Sequence, residues 1–362
     1  MRLPETGGAF FFEKEAYSME AFEQVHRLVQ RGLEQGAYPC AALAVGIGQE
    51  LLLKRTYGAC TEHTLFDMAS VTKILSPTMI ALRFLEEGLL RLSDRVGDFF
   101  PDAPGDKKDI SLLHLLTHTG GIADHFYFSD YTDDPADAVQ VILNHPLEQP
   151  PGGAPIYTCL GYILLGKILE QVGGSGLDVL AQSHVFAPLG MTRTGYHPRG
   201  DAAPTEADPA TGIPFCGIVS DRNARFLGGI SANAGIFSDL NDMILFAKML
   251  ACDGAGYLSP ATLRWAITDH TPDSRGEHRG LGFLLASGPE SFLGSGMSPR
   301  AYGHTGFTGT SIAVDPETGV WVVLLTNRIC PTRTNTKLFP LRPLIHTAAA
   351  EEARRMLYGV VC

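Results

Sequence analysis

Ser70 and Lys73 stand three residues apart in Met68-Ala69-Ser70-Val71-Thr72-Lys73, the one S-x-x-K in the chain. A serine hydroxyl attacks a carbonyl only once a base takes its proton, and an amine held beside it can do so. With 18 serines and eight lysines among 362 residues, roughly 0.4 such pairs arise by chance, so the tetrapeptide alone carries little weight. Its setting adds more. An apolar helical pattern begins at Ser70, and residues three apart on a helix share a face, so Lys73 would turn its amine toward the hydroxyl. A helix start also offers free N–H groups and a positive dipole to any oxyanion formed there. A solvated lysine, with a pKa about 10.4, is almost wholly protonated at neutral pH. To act as a base, Lys73 would need that value depressed by about three units, at a cost of about 4 kcal/mol. A capping serine followed by an exposed lysine is the plain alternative.

These two residues need a scaffold. Residues 19–36 carry Phe22, Val25, Val29 and Leu33 at helical spacing. Two β-like runs follow, Ala41 to Ile47 and Leu51 to Tyr57, joined as a hairpin through Gly48-Gln49-Glu50. Helical patterns then occupy 74–90, 110–121 and 162–174. The Pro-, Gly- and Asp-rich stretch 195–214 has no period and reads as a surface excursion. A helix is expected over Leu240 to Ala251. Strands are expected over Leu281 to Ala286, Tyr302 to Gly306, Ser311 to Val314 and Val320 to Thr326, with turn chemistry in Asp315-Pro316-Glu317-Thr318-Gly319. A last helix spans roughly 340–357. The order predicts an α/β plus all-α protein: an antiparallel sheet flanked by terminal helices, with a mostly helical domain inserted. The sheet domain takes 1–66 and 270–362, the inserted domain 67–269, and the chemistry falls at their interface.

A formal charge of -11 and a pI near 5.5 argue against nucleic acid and anionic membrane as partners. No stretch reaches the ~18–20 apolar residues of a spanning helix. Leu3-Pro4-Glu5-Thr6-Gly7 looks like a cell-wall sorting signal, but such signals act at a C-terminus before an apolar tail, so it reads as coincidence. Seven cysteines (40, 60, 159, 216, 252, 330 and 362), odd in number and without C-x-x-C, suggest reduced thiols and a cytoplasmic protein.

Four further segments, with the S-x-x-K, resemble the serine β-lactamase and penicillin-binding-protein superfamily, and most of all its class C branch with its esterases, D-aminopeptidases and DD-peptidases. I-S-L-L-H-L-L-T-H-T-G-G-I (110–122) is similar to the branch's L-L-x-H-T-S-G-L. P-I-Y-T-C-L-G-Y-I-L-L-G (155–166) resembles the Y-x-N motif and the helix after it. The segment 217–238 looks like G-x-V-H-D-x-N-A…G-G…G-H-A-G-L-F. G-H-T-G-F-T-G-T (303–310) takes the place of K-T-G, ahead of the strand W-V-V-L-L-T-N-R. The five run in the family's order from about residue 20 to 357.

The resemblance implies roles. Tyr157 would bring its phenolic oxygen to Ser70 and Lys73, and either Tyr157 as phenolate or neutral Lys73 would take the serine proton, the two titrating jointly. The strand holding His304, Thr305 and Gly306 would line the site opposite Ser70. The N–H groups of Ser70 and Phe307 would form an oxyanion hole, in which removing one donor costs about 3–4 kcal/mol. His304, in place of the usual lysine, would offer a weaker, pH-dependent charge to a substrate carboxylate. No metal or organic cofactor is implied. His114 and His118 stand at i, i+4, but H-L-L-T-H lacks the glutamate of H-E-x-x-H and reads as backbone hydrogen bonding.

Three positions depart from the pattern. Cys159 replaces the Asn of Y-x-N, and a thiol reads a substrate amide poorly. Asn233 replaces the His of G-H-A-G, and Ser220 the His of V-H-D. The expectation is therefore a serine hydrolase of a small-molecule ester, amide or peptide, with esterase-like activity first. A D-amino-acid peptidase or amidase comes second, a β-lactamase third, and a non-catalytic binding or sensor protein on the same fold is the rival of another class.

Overall fold

The computed structural model describes residues 21–288 and 291–358. The Leu3–Gly7 motif lies outside them. Among the described residues nine strands form two sheets: β1 (Cys40–Ile47), β2 (Glu50–Gly58), β3 (Phe66–Asp67), β4 (Gly195–Tyr196), β5 (Ile236–Ser238), β6 (Leu284–Leu285), β7 (Tyr302–Thr305), β8 (Ser311–Val314) and β9 (Val320–Thr326). The large sheet is antiparallel, in the order β2-β1-β9-β8-β7-β6. Its centre joins the two ends of the chain, with Ala41 opposite Thr326 and Ile47 opposite Val320.

Period-two alternation explains why β1 and β9 read as continuous apolar runs: both of their faces are buried. Cys40, Ala42, Ala44, Trp321, Val323 and Leu325 enter one core, shared with the inserted helices. Ala41, Leu43, Val45, Val320, Val322 and Leu324 enter another. That second core is closed by the first helix, Glu23–Glu34, through Val25 and Val29, and by the last, Leu338–Tyr358, through Leu341 and Ile345. Gly46 has its reason here. A Cβ at that position would lie 2.2 Å from the Trp321 ring, and the register with β2 shifts between Val45 and Gly46, leaving Leu52 of β2 unpaired.

The helical pattern beginning at Ser70 is broken. A 3-10 turn, Ala69–Val71, leads into Thr72–Leu75, the chain turns at Ser76, and a second helix runs Pro77–Glu86. Proline lacks an N–H and tolerates only a helix's first turn, so Pro77 starts a new helix instead of continuing the old one. The expected strand at Leu281 to Ala286 shrinks to the two residues of β6, and the small sheet β3-β5-β4 answers to no expected strand. Its strands of two or three residues are too short to show a period. Among the described residues no helix is long and apolar enough to cross a membrane.

Candidate active site

Ser70 sits on the 3-10 turn that follows β3. In such a turn residues i and i+3 eclipse, and Lys73 Nζ lies 3.2 Å from Ser70 Oγ. Ala69, just before the serine, has φ +45°, a left-handed conformation that a residue with a Cβ adopts only under constraint. Asp67 supplies that constraint. One of its carboxylate oxygens accepts from Ala69 N at 2.8 Å and the other from Ser220 N at 2.7 Å. Because the helix after Ser70 is only four residues long, its dipole is a small aid to any negative charge formed there.

Lys73 is fully buried, and its amine donates to Ser70 Oγ, to Cys159 Sγ at 3.5 Å and to Asn233 O at 3.0 Å. Tyr157 comes from the loop ahead of the helix Leu160–Gly173, and the Lys73 amine stands 5.1 Å from its ring centroid. His118 fixes that loop on both sides of the tyrosine. Its carbonyl accepts from Ile156 N at 2.9 Å and its Nδ1 from Thr158 N at 3.2 Å, while its ring packs 4.7 Å from the phenol. His114 caps its own short helix, with Nδ1 accepting from Ser111 N. Both histidines thus bond to backbone.

The edge of β7 closes the site from the other side. A Cβ at Gly306 would fall 2.6 Å from Met68 O, so only glycine lets this strand end approach the Ser70 turn so closely. Thr308 Oγ1 donates to Asp67 O at 2.6 Å and Thr310 Oγ1 to Met68 O at 3.1 Å, tying the two segments together. The N–H groups of Ser70 and Phe307 make no hydrogen bond to another described residue. Between these walls lies a cleft of about 620 Å³ lined by Ser70, Tyr157, Cys159, His304, Thr305 and Phe307, among others.

A family model described as Beta-lactamase matches residues 25–345. The chain belongs to the beta-lactamase family. It is 30% identical to an Escherichia coli K12 protein that carries a provisional D-alanyl-D-alanine carboxypeptidase name, over 87% of this chain and 84% of that one. It is 26% identical to the N-acetylmuramyl-L-alanine amidase of Bacillus subtilis strain 168, over 87% and 83%. Among solved structures it shares the fold of EstCE1, described as a hydrolase with promiscuous acyltransferase activity. That match has a TM-score of 0.72 at 22% identity, covering 91% of this chain and 98% of the other. This is a beta-lactamase-family hydrolase whose sheet and helices have the β-lactamase/transpeptidase-like arrangement.

Within this beta-lactamase-family chain, two electrostatic expectations are corrected. Burial works against a charged Lys73, but the neighbouring Cys159 and Tyr157 outweigh it and hold the amine above the ordinary lysine range. Lys73 therefore rests as an ammonium. His304 is buried, with Nδ1 2.8 Å from its own strand's Thr305 O, and burial, with Arg279 and Lys73 nearby, pushes it down to about 3. It carries no pH-dependent charge near neutrality. The cation on this wall is Arg279, buried, with its guanidinium 5.1 Å over the Tyr157 ring. Sequence reasoning missed Arg279, Asp67 and the two threonines. Arg279 belongs to no motif, whereas Thr308 and Thr310 sit inside the quoted G-H-T-G-F-T-G-T, where hydroxyls that hold the strand end could have been sought.

Proposed function

We propose that this chain hydrolyses small esters through an acyl-enzyme on Ser70. The reading is carried by one observation: the Lys73 amine lies 3.2 Å from Ser70 Oγ, wholly buried, at the floor of a cleft edged by Phe307. Ser70 Oγ bonds to the substrate's carbonyl carbon while its proton passes to the Lys73–Tyr157 pair. The two members of the pair titrate jointly, and the Lys73 amine, held above the ordinary lysine range, keeps the hydroxyl in place. The tetrahedral oxyanion is met by the N–H groups of Ser70 and Phe307. The carbon–oxygen bond to the alcohol then breaks, the alcohol takes the proton, and water releases the acid from Ser70.

Cys159 favours esters. Its thiol is buried against Lys73 and offers no amide to read an acylamino group. A D-amino-acid peptidase or amidase is the second reading, favoured by Arg279. This residue lines the cleft and two of its guanidinium nitrogens have no partner among the described residues, although the third is paired with Glu277, another lining residue. Relatives named carboxypeptidase and amidase point the same way. The six cysteines among the described residues are unpaired, which supports a reducing, cytoplasmic setting.

Intact-mass labelling with a fluorophosphonate tests the proposal: one adduct on the wild type and none on Ser70→Ala is expected. An unlabelled wild type would favour a non-catalytic binding protein. A chromogenic short-chain ester assayed beside a chromogenic cephalosporin ranks the substrates, and fast cephalosporin turnover with an intact ester would reverse that ranking.

A further inference from the structure

Around Phe307 the cleft wall gathers three more arginines that the acyl-transfer steps do not use. Arg328 and Arg333 hold their guanidinium carbons 4.6 and 4.5 Å from the Phe307 ring centroid, and Arg342 joins them in lining the cleft. Arg328 and Arg342 are buried, with 1% and 5% of their surface exposed. Neither pairs with a carboxylate among the described residues. Arg328 donates to Asn335 O, Arg342 donates to Gly309 O at 3.1 Å, and the Nε of each is left without a partner there. Only Arg333 has acidic company, with its Nη1 2.9 Å from Glu206.

Like charges brought together out of water repel and lose hydration, so such a cluster is costly unless something anionic completes it. The repulsion is visible: burial, then the neighbouring arginine, pushes both Arg328 and Arg342 down to about 10. A cation–π clamp on Phe307 would account for Arg328 and Arg333, but not for Arg342. Arg342 lies in the opening turns of the 21-residue helix Leu338–Tyr358, as does Phe339, another cleft residue, so the positive end of that helix adds to the same field. All this occurs in a chain whose net charge is -11.

We propose that Arg328, Arg333 and Arg342 form a subsite for a doubly charged anionic group on the substrate, such as a phosphate monoester or a pair of carboxylates. Two unpaired guanidinium groups and a third shared with Glu206 match a charge of two better than a single carboxylate. The inference rests on the hydrolase reading for its substrate, but not for its ligand.

Binding is therefore read first in Ser70→Ala, where no turnover occurs. Inorganic phosphate at millimolar concentration should raise the Tm of Ser70→Ala, succinate should do so if paired carboxylates also fit, and acetate should not. The phosphate shift should vanish when Arg328→Gln and Arg342→Gln are added, and Arg342→Lys alone should keep part of it. Removing buried unpaired charge should leave the unliganded Tm of the double variant equal or higher, which shows that it folds. In active protein, an aryl ester bearing a phosphate should exceed its neutral parent at least tenfold in kcat/KM, and the ratio should fall at least tenfold in Arg342→Gln. No phosphate shift, a shift unchanged by the double substitution, or an equal effect of acetate would overturn the subsite. A phosphate shift lost in the double variant, with no ester cleaved by the wild type, would overturn the hydrolase reading and leave the subsite standing.

Discussion

Lys73 and Arg342 are both buried cations facing the same cleft, yet their surroundings differ. The ammonium has three donors and three acceptors around it: a hydroxyl, a thiol and a carbonyl. Arg328 and Arg342 each carry five donors, and each has one backbone carbonyl as its hydrogen-bond partner among the described residues. The first region is satisfied by the protein itself, as the proposed attack on a carbonyl requires. The second is incomplete without something from outside. On the proposed hydrolase reading, reactivity and selectivity are thus built at different ends of one cavity, and substitutions in the two regions should separate them.

The largest effect belongs to the reactive end. Ser70→Ala should lower kcat for ester cleavage by about 10⁴-fold or more, measured under single-turnover conditions so that product release does not mask it. Tyr157→Phe should cost about 10²- to 10⁴-fold, and a rate within threefold of wild type would remove the phenol from proton transfer. Next comes a positioning residue. His118→Ala frees Thr158 N on one side of Tyr157 and removes the ring packed on the phenol, while the carbonyl of residue 118 still holds Ile156 N; it should lower kcat about tenfold, in proportion to lost orientation, with KM nearly unchanged. Cys159→Asn sharpens the ester assignment: it should raise amide hydrolysis relative to ester hydrolysis by about tenfold, because an amide side chain gains a partner in the substrate.

The smallest effect is on stability. His304 and His346 are held at about 3 in the folded protein, against an ordinary 6.5. Between these values the unfolded chain binds protons that the folded one refuses, so this stability is full above pH 6.5 and is lost as pH falls toward 3. Asp67 acts in the opposite sense. Burial raises it from 3.8 to about 6, so its ionisation costs stability as pH rises across that interval. His114 and the buried His118 are lowered in the same sense and Asp242 and Glu352 raised like Asp67, so four histidines against three carboxyls should leave Tm lower at pH 5 than at pH 7. The imidazole NMR signals of His304 and His346 should show no titration between pH 5 and 8, and an inflection near 6.5 for His304 would restore it as a charged contact.

The difference between the two regions also explains what is legible in the sequence. Ser70 and Lys73 announce themselves because three-residue spacing on one turn already places them together, and β8 and β9 are found at their expected limits because alternation and turn residues are local signals. The arginines have no such grammar. Arg328 follows β9 closely, Arg333 lies in the loop beyond and Arg342 on the last helix, so only the folded chain makes them neighbours. His304 departs from expectation for a related reason. Its residue type is plain, but its neutrality depends first on burial in the folded chain and then on Arg279 and Lys73, 25 and 231 positions away. The break at Pro77 is local and legible, and the apolar periodicity on either side conceals it.

The pairing of β1 with β9 bears on how the protein is made. Of the strands in the large sheet, β9 is the last to leave the ribosome, and it lies between β1 and β8 at the centre. Until it has emerged, the early hairpin has no neighbour on its inner edge, and the segment bearing Gly306 has no firm backing against the nucleophile turn. A nascent chain that stops before residue 320 would therefore carry Ser70 without that wall, and on the hydrolase reading its activity must wait for β9.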